Sequence, residues 1–101
     1  QGIQQLGELA FHDEGYFLLQ GQPLALTPRE QALLTVLMYR RLRPVSRQQL
    51  FEQVFSLSDE VSPESIELYI HRLRKKLQGS DVRIATLRGL GYVLERCDEV
   101  G

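Results

Sequence analysis

Residues 63–77 are the most constraining segment of the sequence, because their apolar side chains recur at the spacing of an amphipathic helix. On a helical wheel drawn at about 100° per residue, four apolar residues fall within one narrow arc. These residues are Ile66, Ile70, Leu73 and Leu77. Ser62 and Pro63 supply an N-cap and a proline for the first helical position, and Gly79 supplies a stop signal. The pattern predicts a helix over residues 63–77 whose narrow arc faces a core.

Two further helices precede this one, and each begins with a capping box. Thr27 and Glu30 can satisfy each other's backbone amides, with Pro28 at the first helical position, and Ser46 and Gln49 repeat the arrangement. The first helix is predicted to end near Arg41. The second is short, over residues 46–55. Their predicted buried residues are Leu33, Leu34, Leu37 and Met38 in the first helix, and Leu50, Phe51, Val54 and Phe55 in the second.

Short β-prone runs lie at both ends of the chain. Residues 6–26 contain apolar runs at 9–11, 16–19 and 23–26 with turn signals between them, which predicts an antiparallel sheet of three or four strands. Near the C-terminus, two runs at 82–87 and 92–94 flank a glycine-rich hairpin tip. The fold class is therefore α+β, and short loops with antiparallel strands exclude a doubly wound α/β fold.

Length and composition predict a single domain in a reducing setting. The chain has 101 residues and one cysteine, Cys97, which we interpret as a spectator thiol of a cytoplasmic protein. One cysteine and two histidines make a zinc site unexpected. The longest apolar stretch, around residues 32–39, is too short to span a bilayer, and no signal peptide is evident. Because residue 1 is glutamine rather than methionine, we expect a fragment of a longer protein.

Charge is distributed unevenly along the chain. The formal net charge of −1 by itself argues against a nucleic-acid binder. However, residues 1–27 hold three acids and no lysine or arginine, whereas residues 62–91 hold six bases against three acids. The phosphate field acts over about a Debye length, so a binding face needs local rather than total charge.

The outer face of the third helix carries the candidate site. It holds Glu64, Leu68, His71, Arg72 and Lys75, with Tyr69, Arg74 and Lys76 on its flanks. Leu68 is a stray surface leucine, a residue covered by another element, or a contact for an apolar partner such as a thymine methyl. Arg72 can bond two acceptors of guanine in a major groove. The basic cluster also suits the C-terminal end of a helix dipole, so part of the pattern has an ordinary explanation.

The order of the elements favours a winged helix. The link at residues 56–62 is too long for a helix-turn-helix turn of about 3–4 residues, and a hairpin follows the basic helix at once. Arg88 at the hairpin tip could enter a minor groove, with Thr86 close by. Arg47 lies at the start of the second helix, where amides and positive charge together can hold a phosphate.

Three stretches in this order carry a family resemblance: residues 26–30, 66–77 and 86–92. Over residues 5–95 the chain resembles the OmpR/PhoB family of response-regulator effector domains, the DNA-binding output of a two-component phosphorelay. The resemblance implies a four-stranded N-terminal sheet, three helices and a C-terminal hairpin. It places the third helix in the major groove and the wing, residues 82–94, at the minor groove. It also implies a receiver domain absent from this chain, and two copies in tandem on promoter direct repeats.

The resemblance assigns roles to individual residues. Arg72 contacts a base with Leu68 beside it, Tyr69, Arg74 and Thr86 contact the DNA backbone, and Arg88 is the wing arginine. Tyr69 stands where many relatives have histidine, so a base preference could differ. The loop at 56–62 lacks a tryptophan common in relatives. In the family this loop can contact RNA polymerase, and the alternative is a solvated acidic loop. The residues concerned are Leu57, Ser58, Asp59 and Glu60.

Two other classes of function were weighed. A winged helix can serve as a protein-interaction module, with Leu68 as its anchor, but the cations beside Leu68 suit phosphate better. An enzyme is disfavoured because no helix follows the glycines at 89 and 91 to bind a nucleotide, and no catalytic constellation is evident. We therefore expect no cofactor.

Overall fold

The computed structural model describes residues 2–55 and 61–97. Along the chain, four strands come first, then three helices, then two strands. The elements are β1 (Ile3–Leu6), β2 (Leu9–His12), β3 (Tyr16–Leu19), β4 (Gln22–Pro23), α1 (Pro28–Tyr39), α2 (Arg47–Val54), α3 (Ser65–Leu77), β5 (Val82–Leu87) and β6 (Gly91–Arg96). This order confirms the predicted α+β winged helix.

The N-terminal sheet is antiparallel, with its strands in the order β1-β2-β3-β4. The sheet begins earlier than expected, at Ile3, and ends earlier, at Pro23. A strand over residues 23–26 was therefore a wrong prediction. After Pro23 the amide of Leu24 still donates to the carbonyl of Phe17 at 3.0 Å. The carbonyl of Ala25 then accepts a hydrogen bond from Lys76 Nζ at 2.9 Å, and Thr27 caps α1.

Both capping boxes are present as predicted. Thr27 Oγ1 accepts from the amide of Glu30 at 3.3 Å, and Glu30 Oε1 accepts from the amide of Thr27 at 3.0 Å. Ser46 and Gln49 make the same reciprocal pair, both at 3.1 Å. Helix α1 ends at Tyr39, slightly before the predicted end near Arg41.

The start of α3 differs from the prediction. The helix begins at Ser65, so Ser62 is not its N-cap and Pro63 is not its first residue. Residues 62–66 instead form tight turns, in which the amide of Ser65 donates to the carbonyl of Ser62 at 3.0 Å. The Ser62 side chain is hydrogen-bonded to the Glu64 carboxylate, which lowers the pKa of Glu64 below its ordinary value. Because these turns precede α3, the residue at the capping position is Glu64 rather than Ser62.

A single core lies between the helices and both sheets. The predicted arc of α3, Ile66, Ile70, Leu73 and Leu77, is buried, and so are the four predicted residues of α1. In α2 the prediction was partly wrong, because Leu50 is buried but Phe51 and Val54 are only half-buried; Phe55, just after the helix, is buried. Among the described residues, no helix has the length and apolar character needed to cross a membrane.

The C-terminal hairpin is fixed to the loop that precedes α2. Val45 and Tyr92 exchange backbone hydrogen bonds at 2.7 and 2.8 Å. Gly91 makes this approach possible, because a Cβ at that position would collide with the carbonyl oxygen of Val45. At the tip, the amide of Leu90 donates to the carbonyl of Leu87 at 2.9 Å. The hairpin is therefore held beside the N-terminus of α2.

Candidate nucleic-acid interface

The outer face of α3 is open to solvent. Leu68 is 48% exposed, so among the described residues no element covers it. Its exposed neighbours on this face are Glu64, His71, Arg72 and Lys75. The predicted outer-face residues are thus brought together on one surface, while the opposite side of the helix forms the core.

Two cations of this face, Arg72 and Lys75, and Arg88 at the hairpin tip have no acidic partner within the described residues. Arg72 lies with its guanidinium carbon 5.6 Å from the centre of the Tyr69 ring, a weak cation–π contact. Lys75 and Arg88 make no hydrogen bond or ion pair within residues 2–55 and 61–97. These side chains are available for an anionic ligand without first breaking an ion pair.

Tyr69 lies on the flank of α3, between core and surface. It is half-buried and packs against the core, with its ring centre 5.9 Å from that of Phe55. The guanidinium of Arg72 lies over the same ring. These contacts on both sides of the ring restrict the position of Tyr69.

Arg74 links α3 to the wing. Its Nε donates to the carbonyl oxygen of Ile84 at 2.9 Å, and its Nη2 donates to Thr86 Oγ1 at 2.6 Å. Both acceptors belong to β5. The sequence placed Arg74 and Thr86 in the same interface through the family resemblance, but it did not reveal that they bind each other.

Arg47, at the first position of α2, forms an ion pair with Glu67 of α3 at 2.8 Å. Both side chains are largely exposed, so water screens the pair and its net stabilisation is small. A groove of about 440 Å³ opens between this helix start and the wing tip, lined by Arg47, Thr86 and Arg88 among others. Arg47 therefore lies beside the wing as well as beside α3.

Lys76 is half-buried and paired with an acid, so it does not join the unpaired cations of the surface, which corrects its inclusion in the basic cluster. Its Nζ donates to Glu30 Oε1 at 2.6 Å and to the carbonyl of Ala25 at 2.9 Å. Glu30 is only 2% exposed. Burial by itself would raise the pKa of Glu30, but the hydrogen bonds from Lys76 and Thr27 together lower it below its ordinary value. The pair fixes the end of α3 to the start of α1.

Sequence reasoning missed this ion pair because 46 residues separate its members. The local pattern marked Glu30 only as part of a capping box. The flank position of Lys76, next to Leu73 and Leu77, was the one available signal that its side chain could turn inward. The proposed polymerase loop, Leu57, Ser58, Asp59 and Glu60, lies outside the described residues.

Comparison with known proteins places this geometry in a family. Residues 21–94 match the family described as "Transcriptional regulatory protein, C terminal". The chain belongs to this family. It is also 94% identical over 99 residues to the transcriptional regulatory protein TctD of Salmonella typhimurium strain SL1344, covering 98% of this chain and 44% of TctD. The chain therefore spans less than half the length of that relative.

Solved structures of the family share the fold. The response regulator DrrB of Thermotoga maritima, an OmpR/PhoB homologue, matches with a TM-score of 0.79 and 28% identity, over 94% of this chain and 45% of DrrB. The DNA-binding domain of CpxR from E. coli matches with a TM-score of 0.77 and 28% identity, over 96% of this chain and 99% of that domain. The resemblance to the OmpR/PhoB family is confirmed.

Proposed function

We propose that this domain binds double-stranded DNA sequence-specifically to regulate transcription, with α3 in the major groove and the β5–β6 hairpin at the minor groove. The observation that carries the proposal is the outer face of α3. There Leu68 and Arg72 are exposed beside cations that have no acidic partner in the described chain. That combination fits base edges flanked by phosphates. The described CpxR domain, which has the same fold, is a DNA-binding domain.

Four residues of this face are assigned to the major groove. Arg72 reads guanine through two parallel hydrogen bonds, which contribute roughly 1–3 kcal/mol of discrimination against the wrong base. Leu68 contacts a thymine methyl. Glu64 and His71, on the same exposed face, complete the base-facing set.

A second group holds the DNA backbone and the minor groove. Lys75 supplies a point charge to a phosphate, and the Tyr69 hydroxyl donates to another. Arg47 binds a phosphate at the N-terminus of α2, where backbone amides and the helix dipole add to its charge. Arg88 enters the minor groove from the wing tip. Arg74 and Thr86 contact the backbone between α3 and the wing.

We infer the wider context from the family. The domain is the output half of a two-component response regulator in the cytoplasm, and a receiver domain precedes it. Two copies bind promoter direct repeats in tandem after phosphorylation of the receiver. The loop at residues 57–60 contacts RNA polymerase. Glu30 and Lys76 take no part in DNA binding except by fixing α3.

A selection from random oligonucleotides with the purified domain tests the proposal. A recovered direct repeat supports sequence-specific binding in tandem and gives the half-site spacing. If the domain retains no duplex of any sequence in dilute salt, the proposal is wrong, and the exposed Leu68 then favours a protein-interaction module.

Two substitutions separate base readout from phosphate binding. Arg72→Ala should weaken binding to the selected site and relax base preference at one position. Lys75→Ala should weaken selected and random duplexes alike and flatten the dependence of affinity on salt. Unchanged specificity in Arg72→Ala, or a loss confined to the selected site in Lys75→Ala, contradicts the corresponding assignment.

A further inference from the structure

The wing of this domain has two attachments to the rest of the fold near its tip. On the β6 side, Val45 pairs with Tyr92. On the β5 side, the strand packs against α3 through the core, and the Arg74 side chain adds hydrogen bonds to the Ile84 carbonyl and the Thr86 hydroxyl. Beyond Thr86 the chain turns at residues 87–90, which include Arg88.

We propose that Arg74 is a positioning residue that fixes the wing relative to the recognition helix, so that the contacts of Arg88 in the minor groove depend on Arg74. The inference rests on the proposed function. Beyond that function, one side chain of α3 then aligns the minor-groove contact of the wing with the major-groove contact of the helix. Arg74 acts on Arg88 through β5, without touching it.

The chemistry of arginine suits this role. A guanidinium carries five N–H donors in a rigid plane, and the two hydrogen bonds to Ile84 and Thr86 use donors on two different nitrogens. Two bonds to one strand, at the Ile84 carbonyl and the Thr86 hydroxyl, fix both the distance and the orientation of β5 relative to α3. Lysine carries its three donors on a single flexible nitrogen, so it cannot reproduce this planar two-point contact.

The same arrangement leaves a phosphate-binding capacity at the junction. Two hydrogen bonds leave about three of the five guanidinium donors free. Thr86 Oγ1 accepts from Arg74 and can still donate its own proton. A phosphate bound at this point would contact α3 and the wing together, so Arg74 and Thr86 act as one unit rather than as two independent backbone contacts.

A double-mutant cycle tests the positioning role. The probe is a fluorescein-labelled duplex that carries the site recovered by selection with the wild-type domain, titrated at one fixed salt concentration. R88A should weaken binding of the wild type by roughly fivefold or more. In an R74K background, which retains the charge, the further loss from R88A should be below about twofold.

Lys75 provides the matched control. It is the adjacent cation on α3 and has no bond to the wing within the described residues. In a K75M background, R88A should therefore cost as much as in the wild type. If R88A costs the same in the wild-type, R74K and K75M backgrounds, Arg74 does not position the wing.

A measurement on the free protein separates this inference from the proposed function. Residual dipolar couplings of the backbone amides at residues 85–91 report the orientation of the wing relative to α3. R74K should change these couplings or reduce their magnitude, T86V should do so to a smaller extent, and K75M should leave them unaltered. Unchanged couplings in a folded R74K domain overturn the positioning role. If the wild type binds no duplex, the proposed function fails while the couplings still decide the role of Arg74.

Discussion

Replacing Lys76 by methionine tests the link between α1 and α3. The substitution removes Nζ but keeps the aliphatic stem, so it breaks the 2.6 Å bond to Glu30 and the 2.9 Å bond to Ala25. Glu30 is then left in the core with the amide of Thr27 as its hydrogen-bond donor. We expect the free energy of unfolding to fall.

The magnitude follows from the burial of the two partners. Breaking a fully buried ion pair by removing one member costs about 3–5 kcal/mol, and a hydrogen bond to a charged group contributes about 1.5–3 kcal/mol. Glu30 is 2% exposed, but Lys76 is 34% exposed, so water reaches one side of the pair. The lower figures therefore apply, and we expect a loss of roughly 2 kcal/mol, or about 8–16 °C in Tm for a domain of this size.

The assay is urea unfolding at neutral pH, with Lys75→Met as the control. Both lysines lie in the last turn of α3 and interact with its dipole, but Lys75 makes no hydrogen bond or ion pair within the described residues. The control should change stability by no more than about 0.5 kcal/mol. If the two variants unfold within about 0.5 kcal/mol of each other, the ion pair does not stabilise the fold in the way proposed.

The pH dependence gives a second check on the same substitution. In the wild type the folded-state pKa of Glu30 is lowered, so its contribution is present above the unfolded-state pKa and is lost as the pH falls through the folded-state pKa. Without Lys76, fewer hydrogen bonds oppose the effect of burial on the Glu30 carboxylate, so the pKa of Glu30 rises. The difference in stability between wild type and Lys76→Met should therefore shrink between about pH 7 and about pH 3. A constant difference would contradict the charge-based explanation.

The remaining predictions concern glycine and capping positions, each checked by urea unfolding. Gly91→Ala should cost about 3 kcal/mol or more, because its φ of +124° is strained for any other residue and a Cβ would collide with the Val45 carbonyl. Gly89→Ala, with φ of +81° and open space around it, should cost only about 1 kcal/mol. Similar losses at the two positions would show that the contact with Val45 is not the deciding factor. Ser46→Ala should cost about 1 kcal/mol through loss of the α2 cap, and an unaltered stability would show that the cap is replaced by water.

The parts of the fold that could be predicted from the sequence are those set by local chemistry. The boxes at Thr27 and Ser46 satisfy amides three residues away, and the arc from Ile66 to Leu77 depends only on helical spacing. The start of α3 was predicted wrongly for a physical reason of the same kind. Backbone bonds from Ser65 to Ser62 and from Ile66 to Pro63 close tight turns at residues 62–66, so the regular helix starts at Ser65.

The contacts that could not be predicted join residues far apart in the chain. Nothing near Lys76 in the sequence indicates that it pairs with Glu30 or that it donates a hydrogen bond to the carbonyl of Ala25. Similarly, the pattern around Arg74 indicated a cation on the flank of a helix, and only the packing of α3 against β5 brings it to Thr86. Periodicity identifies the buried face of an element but not the partner of a residue at its edge.

Some cations of this chain are paired with acids and others are not, which explains how a chain with a net charge of −1 can present a positive surface. Lys76 and Arg83 are paired with Glu30 and Glu95, so their charges are largely neutralised where they lie. Arg72, Lys75 and Arg88 have no such partner in the described residues, so their charges are not neutralised by the protein. Arg47 falls between these two groups, because it is paired with Glu67 but the pair is exposed. To bind a phosphate it must give up Glu67, and an exposed pair of this kind contributes only about 0–1 kcal/mol. Under the proposed function, a phosphate that is also held by the amides of α2 would therefore displace Glu67 from Arg47 at little cost.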